Sequence, residues 1–159
     1  MLRTKSAILA GALAMAISAP ALAKTEVVKA ISCWTGTLDM MANTKSDMGW
    51  TYSLNYTWLA EDEDPKKSMS GRCIGSGGLV GGKYESAPHF CTVLAADGST
   101  YMVKGMGGLK GSKGTIYGGT GAFKGVSGTV TGGPRIKLPA QKGQFAYCAH
   151  DVMERTMPD

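Results

Sequence analysis

The segment GWTYSLNYTWL, residues Gly49–Leu59, carries the strongest structural signal in the 159-residue sequence. Its aromatic and aliphatic side chains fall on every second residue, and small polar side chains fall between them. The apolar set is Trp50, Tyr52, Leu54, Tyr56 and Trp58. This period of two predicts a β-strand with one buried face, because a helix would scatter the same rings around its circumference.

The rest of the chain after residue 23 also reads as strands and turns, with no segment long enough for a packed amphipathic helix. The acidic run Glu61–Asp64, followed by Pro65, ends the strand described above. Asp97–Gly98 predicts a tight hairpin, and Pro134–Gly143 reads as an edge segment or a connection. Further strands are predicted at Val27–Leu38, Ser68–Ile74, His89–Ala96, Thr100–Gly105, Gly114–Gly118, Gly125–Thr131 and Gln144–Val152.

Glycine is concentrated in the middle of the chain, where 19 of the 23 glycines lie between Gly71 and Gly133. Glycine weakens a strand unless the backbone must bend sharply or approach another chain closely. Strands that coil to close a small barrel need such positions. A low-complexity linker is the alternative, but interleaved apolar residues such as Ile116, Phe123 and Val126 argue against it.

An antiparallel meander of eight strands has two exposed edges unless its first and last strands pair. The sequence therefore predicts an all-β, single-domain protein with an eight-stranded antiparallel barrel over residues 24–159. A β-sandwich can also bring the terminal strands side by side, so it remains the alternative fold.

Four cysteines are expected to form two disulfides in an exported chain, with three possible connectivities. Zinc binding is the rival interpretation, but the sequence has no C-x-x-C pair or Cys/His cluster to support it. Barrel closure brings Cys33 in the first strand to Cys148 in the last, and Cys73 and Cys91 lie in consecutive strands. The barrel thus predicts the pairs Cys33–Cys148 and Cys73–Cys91.

Residues 1–23 have the three parts of a secretory signal peptide. Arg3 and Lys5 form the basic end, and the apolar run Ala7–Ile17 is too short to span a bilayer of about 30 Å. The small-x-small pattern Ala21–Ala23 marks the cleavage site. We expect a secreted or periplasmic protein with no membrane span after cleavage; an uncleaved membrane anchor is the alternative.

Charge and motifs exclude several function classes. Without Arg3 and Lys5 the 17 basic residues fall to 15, against 12 acidic ones, and no basic run is interleaved with aromatics, so we expect no nucleic-acid partner.

The glycine-rich stretch Gly77–Lys83 is followed by Tyr84 where a phosphate-binding loop needs Ser or Thr. Glu61–Asp64 lacks the spaced oxygen ligands of a calcium loop. We therefore expect no cofactor and no metal.

The segment GGTGAFKGVSGT, residues Gly118–Thr129, resembles the GGTG-x-F/Y-x-G-x-x-G motif of the allene oxide cyclase-like and dirigent-like barrels, including small exported bacterial members. The resemblance implies an eight-stranded antiparallel barrel in which this segment turns tightly into a late strand. The turn residues are Gly119, Thr120, Gly121 and Phe123. We expect Gly119 and Gly121 to take positive φ and Phe123 to plug the end of the barrel.

The resemblance also implies two kinds of chemistry. Plant cyclases rearrange an unstable fatty-acid epoxide inside the barrel, and dirigent proteins hold phenoxy radicals or related intermediates while they couple or cyclise. No catalytic polar residue of either group can be matched to this chain, so the catalytic residues are unknown. His89 and His150 are interpreted as structural, and Asp151 points away from His150 because strand neighbours face opposite sides.

The aromatic stripe of Trp50, Tyr52, Tyr56 and Trp58 is the main candidate site. These rings can simply be barrel core, they can line an apolar pocket at the barrel mouth, or they can form an outer docking patch. We favour a binding module for a small apolar or aromatic ligand or a protein partner. The alternatives are a cyclase, isomerase or dirigent-type protein that acts by confinement, and a structural envelope protein. The oligomeric state is not predicted.

Overall fold

A computed structural model describes residues 23–85, 87–108 and 110–158, and most of them lie in β-strands. Two of the strands are short, β4 at Lys83–Glu85 and β9 at Ile136–Lys137. The eight long strands are β1 (Lys24–Ala42), β2 (Met48–Ala60), β3 (Met69–Val80), β5 (Ala87–Ala95), β6 (Thr100–Gly108), β7 (Gly111–Gly119), β8 (Ser127–Gly132) and β10 (Gln144–Met157).

The eight long strands form a closed antiparallel barrel. Each strand pairs with the next in the order β1, β2, β3, β5, β6, β7, β8 and β10, and β10 pairs with β1. This last ladder is long, because it runs from Lys24 opposite Met157 to Thr37 opposite Gln144. The predicted barrel is confirmed, and the β-sandwich is wrong because the first and last strands share one continuous ladder.

The turns lie where the sequence predicted them, while several strands are longer than the sequence indicated. β2 ends at Ala60, directly before the acidic run. β5 and β6 form the hairpin predicted at Asp97–Gly98, where Gly98 has a φ of 83°. β3 continues through its glycines to Val80 because β2 supplies hydrogen-bonding partners along its whole length. The short strand β9 pairs only with β10 and lies within Pro134–Gly143, the predicted edge segment or connection, whereas the short strand β4, which pairs with β3, was not predicted.

Both predicted disulfides are present, and no described cysteine is free, so the zinc interpretation is wrong. Cys33 lies directly opposite Cys148 in the β1–β10 ladder, with 4.1 Å between their α-carbons. Cys73 lies opposite Cys91 in the β3–β5 ladder, at 4.0 Å. The second bridge is buried inside the barrel. Such bridges are typical of chains that fold in an oxidising compartment.

One end of the barrel, here called the closed end, is filled by side chains. Phe123 packs edge-to-face on Tyr101, with 5.0 Å between the ring centroids. The guanidinium of Arg155 lies 4.9 Å from the Phe123 centroid, donates a 2.9 Å hydrogen bond from Nε to Glu26 and forms an ion pair with it, with 2.8 Å between Nη2 and Oε2. The Tyr101 hydroxyl lies 3.1 Å from the sulfur of Met153. These contacts pack the barrel interior at this end.

The glycine motif forms the turn between β7 and β8, with a short 3₁₀ helix at Gly121–Phe123. Gly121 has a φ of 57°, as expected, and Gly118 has the same value. The expectation for Gly119 is wrong, because Gly119 does not take a positive φ. A β-carbon at Gly119 would instead overlap the carbonyl oxygen of Phe123. This glycine therefore provides space for the turn rather than an unusual backbone angle.

The predicted signal peptide lies almost entirely outside the described residues, which begin at residue 23. Its cleavage stays a prediction. Within the described part of the chain, no helix is long and apolar enough to cross a membrane.

Candidate functional site

Among the described residues, three cavities follow one another along the barrel interior, and β2 lines all of them. The widest, here called the mouth cavity, has a volume of about 870 Å³ and opens to solvent at the end opposite the closed end; Trp50 and Tyr52 line it. A smaller one of about 30 Å³, here called the middle cavity, shares Tyr52 with it. A third, of about 50 Å³, lies beside Tyr56 and Trp58. The two smaller cavities together are called the inner cavities. The alternating stripe of β2 therefore lines the interior from the mouth inwards.

The walls of the mouth cavity are mainly aromatic. Tyr52 meets Phe145 edge-to-face at 6.1 Å between centroids, and Phe145 stacks on Tyr147 at 6.0 Å. Trp50 packs against Tyr84 of β4 at 5.8 Å. The segment around β9 completes the rim with Leu138 and neighbouring residues. Rings held against one another in this way form a preorganised apolar surface with little side-chain freedom left to lose on binding.

Glycines of β3 set the position of the aromatic stripe. Gly75 and Gly77 lie opposite Tyr52 and Trp50 in the β2–β3 register. A β-carbon at Gly77 would lie 2.9 Å from the Trp50 ring, and one at Gly75 would overlap the Tyr52 ring. Each ring therefore lies directly over the backbone of a glycine, where no side chain stands in its way. This explains why glycine recurs with the strand period in β3, where a close approach and not a turn requires it.

A second set of rings stacks from the mouth into the interior. Trp34 of β1 faces Tyr56 on one side and Tyr147 on the other in the strand register. Its ring stacks on Tyr56 at 4.5 Å between centroids and on Tyr147 at 6.0 Å. The indole Nε1–H of Trp34 donates a 2.6 Å hydrogen bond to the hydroxyl of Ser32. The stack joins the mouth cavity to the inner cavities through one continuous aromatic wall.

Arg135 is the charged group that the mouth and the middle cavity share. Its guanidinium carbon lies 4.7 Å from the centroid of the Tyr147 ring, a cation–π contact. Burial raises the pKa of Tyr52 to about 12, and the positive charge of Arg135 opposes that rise only in part. The pKa of His89 is lowered, mainly by burial and further by the positive charge of Arg135. Tyr52 and His89 are therefore neutral near pH 7.

Asp151 is the acid of the interior and lines both inner cavities. It is only 4% exposed, and burial raises its pKa to about 6, although the nearby Ser32 and Trp58 side chains favour its charged form. Among the described residues, the buried Nε1–H of Trp58 has no hydrogen-bond partner, although the indole lies near this carboxylate. A carboxyl group with a raised pKa inside a cavity can hold or release a proton near neutral pH.

The structure divides the predicted site residues between two places. Trp50 and Tyr52 line the open mouth, whereas Tyr56 and Trp58 are buried, at 8% and 4% exposure, beside the inner cavity. All four face the interior, so an outer docking patch formed by this stripe is excluded. Whether the stripe binds a ligand stays a prediction.

The two histidines lie on opposite sides of the barrel wall. His89 faces the inner cavities, next to the position of Gly105. His150 lies outside, where its Nδ1 is 3.2 Å from Glu61. Asp151 points inwards, so the strand alternation separates it from His150 as expected. Sequence reasoning missed Arg135, Asp151 and Tyr84 as site residues.

Comparison with known proteins gives a match in fold and none in sequence. No protein-family model and no curated protein matches the chain. The solved structure of the pterocarpan synthase dirigent protein GePTS1 matches with a TM-score of 0.56 at 12% identity, over 96% of this chain and 100% of that one. The pterocarpan synthase dirigent protein PsPTS1 matches with a TM-score of 0.55 at 16% identity, over 86% of this chain and 97% of that one.

Both matches cover nearly the whole barrel, and they agree with the resemblance of the glycine motif. At this level of identity the likeness concerns the fold and not the chemistry. The chain therefore folds as a dirigent-like β-barrel.

Proposed function

We propose that this protein is a binding module that holds a small aromatic ligand in the mouth of its barrel. The observation that carries the proposal is the open cavity of about 870 Å³ walled by Trp50, Tyr52, Phe145 and Tyr147. Ligand sites are typically concave, largely apolar and preformed, with a few polar groups that orient the ligand. The mouth cavity has these properties, with Arg135 as its most prominent polar group.

The energetics favour a flat ring over an aliphatic chain. An aromatic pair with offset or edge-to-face geometry contributes roughly 0.5–1.5 kcal/mol beyond the burial of its area. Tyr52 and Phe145 already stand edge-to-face, so their exposed faces offer a planar ligand both kinds of contact. The inner cavities are smaller than the roughly 150 Å³ that takes up a benzene molecule, so the ligand is expected at the mouth.

Native mass spectrometry of the protein purified from its own compartment tests this proposal. We expect a retained small molecule in the wild-type spectrum and its loss from Tyr52→Ala and Trp50→Ala. Phe90→Ala is the matched control, because Phe90 is 45% exposed on the outer wall. Empty wild-type spectra, together with no thermal shift from a panel of small aromatic compounds, would argue against the mouth as a binding site.

A second candidate function is catalysis by confinement, and the buried Asp151 supports it. A carboxyl group whose pKa is raised to about 6 can donate or accept a proton during an isomerisation or cyclisation. The two similar structures are both pterocarpan synthases, so barrels of this fold are known with an enzymatic role. However, a ring reaches Asp151 only if the side chains around the inner cavities of about 30 and 50 Å³ move.

Conversion of the retained molecule distinguishes the two functions. If the barrel is a catalyst, the wild-type protein should convert that molecule into an isomer of equal mass, and Asp151→Asn should still bind it without converting it. If the barrel only binds, chromatography should recover the molecule unchanged from both proteins.

The export of the protein also belongs to this proposal. The two disulfides support folding in an oxidising compartment, and the first 23 residues have the pattern of a signal peptide. Intact mass measurement of the exported protein should give a chain that begins at Lys24. A mass that includes Met1 would contradict cleavage.

A further inference from the structure

The mouth cavity has an uncompensated positive charge. Arg135 and Lys137 both line it, and none of the described residues that line it is acidic. Within the described chain, neither cation forms an ion pair with a carboxylate, whereas Lys67 and Arg155 both do. His89, beneath the mouth, adds no charge near pH 7 because its pKa is lowered. The residues that line the mouth cavity therefore carry a net positive charge.

Two neighbours position the Arg135 guanidinium in the lining of the mouth cavity. The Tyr147 ring supports it from one side at 4.7 Å. On β6, a β-carbon at Gly107 would lie 3.1 Å from its Nη2, so the missing side chain there leaves room for the guanidinium. A stacked guanidinium keeps its N–H groups free in the ring plane, where they can form hydrogen bonds.

We propose that the ligand of the mouth cavity is an aromatic carboxylate, with its ring against Tyr52 and Phe145 and its carboxylate on Arg135. This inference rests on the proposed function, since it names the class of ligand for the same site. Lys137 at the rim adds to the attraction without a fixed contact. Asp151 is not the partner of Arg135, because the two form no ion pair although both line the middle cavity.

The chemistry of the site selects this class over neutral and cationic ligands. A carboxylate matches the guanidinium with two parallel N–H···O bonds, and such charge-assisted bonds are about twice as strong as neutral ones. A neutral aromatic amide gains the ring contacts and at most one weaker hydrogen bond from the guanidinium to its carbonyl oxygen. A cationic one meets two like charges at the rim, which lowers its affinity and its rate of association.

Calorimetric titration with three matched probes tests the inference. The probes are 2-naphthoate, 2-naphthamide and 2-naphthylmethylammonium, which share one ring system and differ in charge. We expect wild-type protein to bind the carboxylate at least about tenfold more tightly than the amide, and the ammonium compound most weakly. Arg135→Met should bring the carboxylate down to about the affinity of the amide, and it should weaken amide binding much less than carboxylate binding.

Lys104→Met is the control variant, because Lys104 is an exposed cation on the outer wall and its loss should change no affinity. Equal affinities of the three probes for the wild-type protein would overturn the charge selectivity while leaving an aromatic site in place. Loss of amide binding in Arg135→Met would equally overturn it, since the arginine would then support the site rather than select charge. Failure of all three probes to bind would overturn the proposed function as well.

Discussion

The ring of Tyr52 lies across the backbone of Gly75, its partner in the β2–β3 ladder, so closely that no β-carbon fits between them. Gly75→Ala should push this ring into the mouth cavity and destabilise the fold by about 1–3 kcal/mol, as overpacking does. A β-carbon there would also lie 2.6 Å from the carbonyl oxygen of Pro88, which blocks relaxation on the other side. Urea denaturation measures the loss.

Gly49→Ala is the matched control for this substitution. Gly49 lies in β2 with ordinary φ, and the nearest atom to an added β-carbon is 4.0 Å away. We expect its free energy of unfolding to stay within about 0.5 kcal/mol of the wild type. Equal stabilities of the Gly75 and Gly49 variants would show that the aromatic stripe does not depend on the bare backbone beneath it.

The Cys33–Cys148 bridge joins the two strands that close the barrel, over a sequence separation of 115. In the chain-entropy model a loop of this length stabilises the folded state by roughly 4–5 kcal/mol. Cys33→Ser combined with Cys148→Ser should therefore lower the free energy of unfolding by most of that amount. Thr35→Ser with Ala146→Ser changes the next pair of the same ladder facing the same side and should cost little. A similar small loss for both double variants would contradict the role of the bridge.

The raised pKa of Asp151 predicts a definite pH dependence of stability. The folded protein holds the proton up to about pH 6, whereas the unfolded chain releases it near 3.8. The protonated carboxyl group therefore stabilises the fold fully below pH 3.8. This stabilisation, about 2–3 kcal/mol, is lost as the pH rises from 3.8 through about 6. Relative to Asp151→Asn, the wild type should lose that amount between pH 3.5 and pH 7 in urea denaturation.

Asp39→Asn is the matched substitution, because Asp39 is an exposed carboxyl on β1 and its replacement should change the free energy of unfolding little. If the Asp151→Asn and wild-type profiles run parallel over this range, the carboxyl group is not desolvated as described. A direct titration of the Asp151 carboxyl by nuclear magnetic resonance would give the same answer.

At the closed end, removing the acidic partner of the buried Arg155 should lower the stability of the protein. Arg155 has a side chain only 6% exposed, and Glu26 is its counter-charge at 2.8 Å. Glu26→Gln should destabilise the protein by about 2–3 kcal/mol, because it leaves the guanidinium without a compensating charge. Asp62→Asn removes the partner of Lys67 in an exposed pair and should change stability little. Equal thermal stability of the two variants would contradict this prediction.

Local pattern was enough to predict the barrel. The alternation of Trp50 through Trp58 fixes which face is buried, and a one-residue slip would turn every ring outwards. Closure of the barrel then brings Cys33 of the first strand opposite Cys148 of the last strand. The lengths of β1 and β3 could not be predicted from local pattern, because they depend on pairing with neighbouring strands. Pairing carries β1 beyond Val27–Leu38 at both ends, and it carries β3 over glycines that have low strand propensity by themselves.

The site was predicted only in part, for a physical reason. Trp50 and Tyr52 belong to a periodic strand, so the sequence indicates where they face. Arg135 lies in the irregular segment between β8 and β9, where no period fixes the direction of a side chain. The position of Asp151 could have been read from the alternation with Ala149 and Met153 in β10, but its raised pKa depends on which residues the closed barrel packs around it.

A chemical-shift map of the protein during titration with 2-naphthoate shows directly where the ligand binds. If it binds in the mouth cavity, the shifted amides should cluster at the mouth, around Tyr52, Phe145 and Tyr147, while those of Tyr101 and Phe123 at the closed end stay in place. Shifts confined to the outer wall around Phe90, or no shifts at millimolar probe, would contradict a ligand site in the barrel mouth.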